Sequence, residues 1–187
     1  GFYKTYVKTD GRMYILNPAG LEQQLGAGGG GGSLKWIENA KAPVLEVENF
    51  VEVYKFESGS DNELYCTVRV PASYAPGTQI SMRGLFYSIS TSNDFLIRTQ
   101  TTLIRSEVDE ITSTTNQRTS TNSAITMSSA NDNEPQKVVF DLTSATGQIN
   151  SVAVSAGDLI IVRLHDAGGT STDPVNFIHT ATEVTFS

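Results

Sequence analysis

Residues 26–32 read Gly-Ala-Gly-Gly-Gly-Gly-Gly, and this run divides the chain into a short aromatic head and a long body. Polyglycine has no side chain to bury and the greatest backbone freedom to lose, so it uncouples whatever lies on its two sides. A native hinge and an introduced linker both satisfy that reading. The body after it alternates apolar and polar residues over short runs, with almost no helical period. Only sheets bury such a pattern. A chain of 187 residues holds one ordinary domain plus an appendage, and 39% hydrophobic content supplies one core. The expected organisation is a β-hairpin adaptor over 1–25, a Gly-rich linker over 26–33 and a sandwich body over 34–187.

In the head, residues 3–9 and 12–17 flank Asp10-Gly11, a two-residue hairpin signal in which Gly accepts positive φ. Asn17-Pro18-Ala19-Gly20 supplies a second turn. Tyr3, Tyr6 and Tyr14 make the hairpin aromatic, and an isolated hairpin needs something to pack on. In the body, strands are expected near 34–37, 44–47, 50–56, 63–70, 79–89, 95–105, 136–142, 159–164 and 176–186. Residues 112–133 are dense in Thr, Ser and Asn, with a strand inside them near Ala124-Ile125-Thr126-Met127. Strands at this spacing predict an all-β, jelly-roll-like two-sheet sandwich, although periodicity alone does not separate a jelly roll from another Greek-key sandwich.

The net charge of −7 opposes general affinity for nucleic acid and for anionic membranes. No apolar run reaches the length of a membrane span. The first residues lack the basic-then-apolar order of a signal peptide. Cys66, the single cysteine, shares a strand face with Leu64, Val68 and Val70 and reads as a buried thiol.

Catalytic and metal motifs are weak. His165-Asp166, Ser171, Thr172, Asp173 and His179 contain the ingredients of a hydrolytic site but no arrangement that fixes roles. No Gly-x-Ser-x-Gly elbow occurs, and the glycine run lacks the ending of a phosphate loop. The acidic loops over 58–63 and 131–134 carry oxygen ligands without calcium-loop spacing. No enzyme activity, cofactor or metal is expected. Trp36, Tyr54, Tyr65, Tyr74, Phe86 and Tyr87 are candidates for stacking on sugars, but alternating aromatics are more often core or interface anchors.

The series Leu64-Tyr65-Cys66-Thr67-Val68-Arg69-Val70-Pro71-Ala72-Ser73-Tyr74, followed by Gly77 and Ile80-Ser81-Met82-Arg83, resembles the strand–Val-Pro–Tyr loop of small β-sandwich structural proteins of tailed bacteriophages. Gly157-Asp158-Leu159 leading into Arg163, and the hairpin Tyr6-Val7-Lys8-Thr9-Asp10-Gly11-Arg12-Met13-Tyr14, resemble the same group. The resemblance implies a jelly-roll virion protein, commonly trimeric. On that basis the expected function is a head decoration (cement) protein on the outer surface of the capsid. Its partners would be itself, as a homotrimer, and the major capsid protein or another virion protein. The alternative is a tail-fibre or tail-adaptor domain that binds a host receptor or glycan. The ambiguous strand faces over 50–56 point to surplus apolar surface. Interface candidates are Tyr3, Tyr6, Tyr14, Trp36, Phe50, Tyr54, Tyr65 and Tyr74.

Overall fold

The computed structural model describes residues 4–7, 13–16, 22–24, 34–48, 50–88, 94–105, 117–119, 123–126, 134–169 and 173–187. The chain divides into two compact units, Gly1–Ser33 and Leu34–Ser187. In the first, β1 (Lys4–Val7), β2 (Met13–Leu16) and β3 (Glu22–Gln24) form a three-stranded antiparallel sheet in sequence order. Tyr6 stands opposite Tyr14 in that ladder. The third strand goes beyond the hairpin expected from the sequence. Tyr3, Asp10-Gly11, Asn17-Pro18-Ala19-Gly20 and the glycine run lie outside the described residues.

The second unit runs through β4 (Trp36–Ile37), β5 (Val44–Glu48), β6 (Val51–Phe56), β7 (Glu63–Arg69), β8 (Ile80–Tyr87) and β9 (Asp94–Ile104). It continues with β10 (Gln117–Thr119), β11 (Ser123–Thr126), β12 (Gln136–Asp141), β13 (Gln148–Ile149), β14 (Val152–Ala153), β15 (Leu159–Gly169) and β16 (Val175–Phe186). One sheet is ordered β10-β9-β15-β7-β4, with β11 also pairing β9; the other is ordered β12-β8-β16-β6-β5. All of these pairings are antiparallel, and the two sheets stack as a jelly-roll-like sandwich.

Period-two burial builds the core between the sheets. Along β7, Leu64, Cys66 and Val68 point inward; along β8, Ile80, Met82 and Phe86 do so. Phe86 stacks on Phe177 at 4.8 Å, and Trp36 meets the same Phe177 edge-on at 5.2 Å. Each such buried aromatic contributes about 2–3 kcal/mol by area removed from water. Gly84 sits beneath this stack, where an added Cβ would come within 2.9 Å of Phe177. Cys66 is fully buried, and burial pushes its thiol up to about 12.

Several local expectations change. Phe50 is not in a strand: it occupies the turn between β5 and β6 at φ 70°. The strand expected near 159–164 runs on to Gly169 as β15, with a register shift between Asp166 and Gly168. The β13–β14 hairpin has no Gly to announce it. Asn150 and Ser151 take φ of 48° and 66°, the two left-handed positions that a type I′ turn requires.

Candidate functional site

The outward face of the larger sheet gathers the chemistry. Because Leu64 and Cys66 point inward, Glu63, Tyr65 and Thr67 must point outward. The same parity turns Ile161, Arg163 and His165 of β15 outward, together with Arg98, Gln100 and Thr102 of β9. Register then aligns them. Ile37, Tyr65, Arg163 and Gln100 stand in one row across four strands. Glu63, His165 and Arg98 form the row on one side of it. Thr67, Ile161, Thr102 and Gln117 form the row on the other.

Hydrogen bonds lock the middle of this face. Arg163 donates from Nε and Nη2 to Glu63 Oε2, at 2.6 and 2.5 Å. Asn39 Nδ2 donates to Glu63 Oε1 at 2.6 Å. Arg163 Nη1 reaches Gln100 Oε1 at 3.3 Å, and Gln100 Nε2 reaches Gln117 Oε1 at 3.4 Å. Burial works against the Glu63 carboxylate, but the bonds from Asn39 and Arg163 and the Arg163 charge outweigh it and hold its pKa below the ordinary value. Tyr65 shifts up, through burial first and the Glu63 charge second. The result is a half-buried tyrosine ring beside a guanidinium, a carboxylate and three amides, all but Asn39 carried by strands that fix their positions.

His165 belongs to the same face and is held neutral. Its Nδ1 lies 2.9 Å from the Asp166 carbonyl oxygen, which only accepts, so Nδ1 carries the proton. Its Nε2 then accepts from Arg98 Nε at 3.1 Å. Burial, followed by the charges of Arg163 and Arg98, lowers its pKa. Both ring nitrogens are thus occupied, and neither is free to act as a base in the hydrolytic arrangement considered from sequence. Ser171 and Thr172 lie outside the described residues. Among the described residues no group of three or more His, Cys, Asp or Glu is placed to hold a metal. Asp61 of the acidic 58–63 loop pairs with Lys41 at 2.9 Å. Residues 131–133 are not described.

Two depressions border the face. One of about 370 Å³ is lined by Gln117, Arg118, Ser144, Gln148, Asn150 and Ser151. Gln117 thereby joins this amide- and hydroxyl-lined hollow to the central row. The other, of about 320 Å³, opens beside Arg98, Asp61 and Asp166. Burial raises the Asp166 pKa.

The aromatic candidates divide sharply. Trp36, Tyr54, Tyr74 and Phe86 are all buried in the core. Tyr87 is on the other sheet and donates to Glu48 Oε2 at 2.6 Å. Phe50 is fully exposed at its turn. Tyr65 alone of this set lies in the polar row. Sequence reading missed Asn39, Glu63, Gln100, Gln117 and Arg163 as site residues. Their common outward parity was visible strand by strand, but the register that unites them was not.

No protein-family model matches the chain, and no curated protein matches it. Solved structures resemble it only distantly, three of them as follows. One is the module TmCBM61 in complex with β-1,4-galactotriose, at 7% identity and TM-score 0.36, covering 83% of each chain. Another is arabinose-bound MgGH51 α-L-arabinofuranosidase, at 10% identity and TM-score 0.34, covering 81% of this chain and 23% of that one. The third comes from work on promiscuous carbohydrate-binding modules of the β-sandwich superfamily, at 9% identity and TM-score 0.34, covering 98% and 75%.

These findings correct the reading carried by the phage resemblance. None of the three is a virion protein. The head decoration (cement) function, the major capsid protein as partner, the homotrimer and the outer capsid surface are withdrawn with it. The trimer rested on the ambiguous faces over 50–56; there Val53, Tyr54 and Phe56 are buried in the chain's own core, as is Trp36, while Phe50 and Val51 stay exposed.

Proposed function

We propose that the sandwich is a glycan-binding module and that the outward face of its larger sheet is the platform. The observation that carries this reading is the row Tyr65–Arg163–Gln100, locked by Glu63 and Asn39 and continued by Gln117 into the polar hollow. A sugar ring offers an apolar C–H face and pairs of neighbouring hydroxyls. A tyrosine ring meets the first, while planar guanidinium, carboxylate and amide groups meet the second. Because these groups stand on strands, little ordering is left for the ligand to impose. The row spans several strands, which suits a chain of sugars over a single ring. The acidic balance of the protein fits neutral glycans better than sulfated or uronic ones.

The test is calorimetric titration against a panel of neutral oligosaccharides built from galactose, arabinose, glucose or xylose, with an acidic oligosaccharide alongside. Binding of a neutral member that falls at least about tenfold in Tyr65→Ala and in Gln100→Ala supports the platform. Absence of binding across the panel overturns the reading. So does binding that both variants leave unchanged.

A further inference from the structure

β5 is the last strand of the smaller sheet, and among the described residues nothing pairs with its far side. An open strand edge is a template for another strand. This edge is also apolar: Val44, Leu45 and Val47 are 56%, 46% and 69% exposed. Leu45 stands opposite Tyr54 and Val47 opposite Glu52, so the two continue the inward-facing parity of the sheet. Tyr54 is buried in the core, yet Leu45 and Val47 beside it are not. The inner face of the sheet therefore extends past its cover as a two-residue apolar ledge.

Charge selects the occupant. Glu46 and Glu48 alternate with the valines of β5, and Glu52 lies opposite Val47. Among the described residues Glu48 accepts from neutral donors, Tyr87 and Asn176. Lys55 is 3.9 Å from Glu46 and closer to Glu57, at 3.6 Å. The edge thus keeps a negative surplus. Two copies of β5 paired edge to edge would bring their glutamates together, which opposes self-association. A strand alternating basic and aliphatic residues would instead set its aliphatic side chains on the ledge and its charges against the glutamates.

We infer that β5 is a docking edge for an extended segment of another protein in which lysine or arginine alternates with aliphatic residues. The segment adds to the smaller sheet as a further strand. Main-chain hydrogen bonds to β5 supply affinity, and Leu45, Val47 and the glutamates supply selectivity. This surface is separate from the proposed glycan platform, which lies on the other sheet.

The test uses the full chain and a short acetylated peptide alternating lysine with valine, with a glutamate–valine peptide as control. Binding is read by fluorescence anisotropy and by hydrogen exchange. The lysine peptide should bind, slow exchange of the amides of residues 44–48, and weaken with added salt. Val47→Lys, at an exposed position that leaves the core intact, should weaken it at least about tenfold while the unfolding midpoint holds. Equal binding of the two peptides, no binding, or protection elsewhere in the chain would overturn the inference. Concentration-dependent protection of residues 44–48 without peptide would also overturn it, by giving the edge to a second copy.

Discussion

Phe50 holds φ at 70° with its ring fully in solvent. A left-handed backbone costs an L-residue about 1–2 kcal/mol, and here no packing of the ring offsets that cost. Phe50→Gly should therefore raise the stability of the sandwich by about 1 kcal/mol, read as a higher denaturant midpoint at unchanged slope. His165 and Glu63, both lowered, respond to pH with one sign at the polar face, while Asp166, raised by burial, responds with the opposite sign at acid pH. His165 has its folded pKa lowered below 6.5, so its contribution is whole above that pH and is lost as pH falls through the folded value. Glu63, lowered below 4.5, adds a second loss of the same sign at more acid pH. Melting temperature should thus fall on acidification from neutrality, and His165→Gln should flatten the upper part of that fall. A profile that rises on acidification between neutrality and pH 5.5 would contradict the neutral, Arg98-bonded imidazole (window from the unfolded histidine value, about 6.5).

At the scale of elements, alternation exposed most strands, and tertiary contacts decided their ends. The runs at 63–70, 79–89 and 136–142 match β7, β8 and β12 closely, because one face of each is buried and the other solvated. Burial in β6 was ambiguous for a physical reason: Val53 and Tyr54 are adjacent and both buried, so the period of two breaks there. Tyr74, offered as an interface residue, instead braces a corner. Its hydroxyl donates to the Thr78 carbonyl at 2.6 Å. Gly147 packs against the same spot, where a Cβ would meet that carbonyl oxygen and the Tyr74 hydroxyl at 2.5 Å, at φ 66°. Tyr74→Phe should cost about 1 kcal/mol, the worth of one hydrogen bond. Gly147→Ala should cost more, about 2–4 kcal/mol, since a backbone carbonyl cannot step aside. Urea unfolding of the two variants gives the order directly.

At the scale of the molecule, the chain forms two compact units, Gly1–Ser33 and Leu34–Ser187. Removing Gly1–Ser33 should leave a single cooperative β-type unfolding transition with a midpoint close to that of the full chain, measured by circular dichroism. The site was far less legible than the fold. Sugar-stacking candidates chosen by residue type put Trp36 and Tyr54 forward, and both belong to the core. What unites the proposed platform is cross-strand register: Glu63 and Arg163 are 100 positions apart and meet because β7 pairs with β15. Local pattern does not encode that meeting.

The most direct test of the glycan platform is chemical-shift mapping on the isotopically labelled protein. The neutral oligosaccharide that binds best is titrated in, and perturbed backbone amides and side-chain amides are located. Shifts should concentrate at Asn39, Tyr65, Gln100, Gln117 and Arg163, with residues 44–48 unmoved. Shifts confined to the smaller sheet, around Tyr87 or β5, would contradict it.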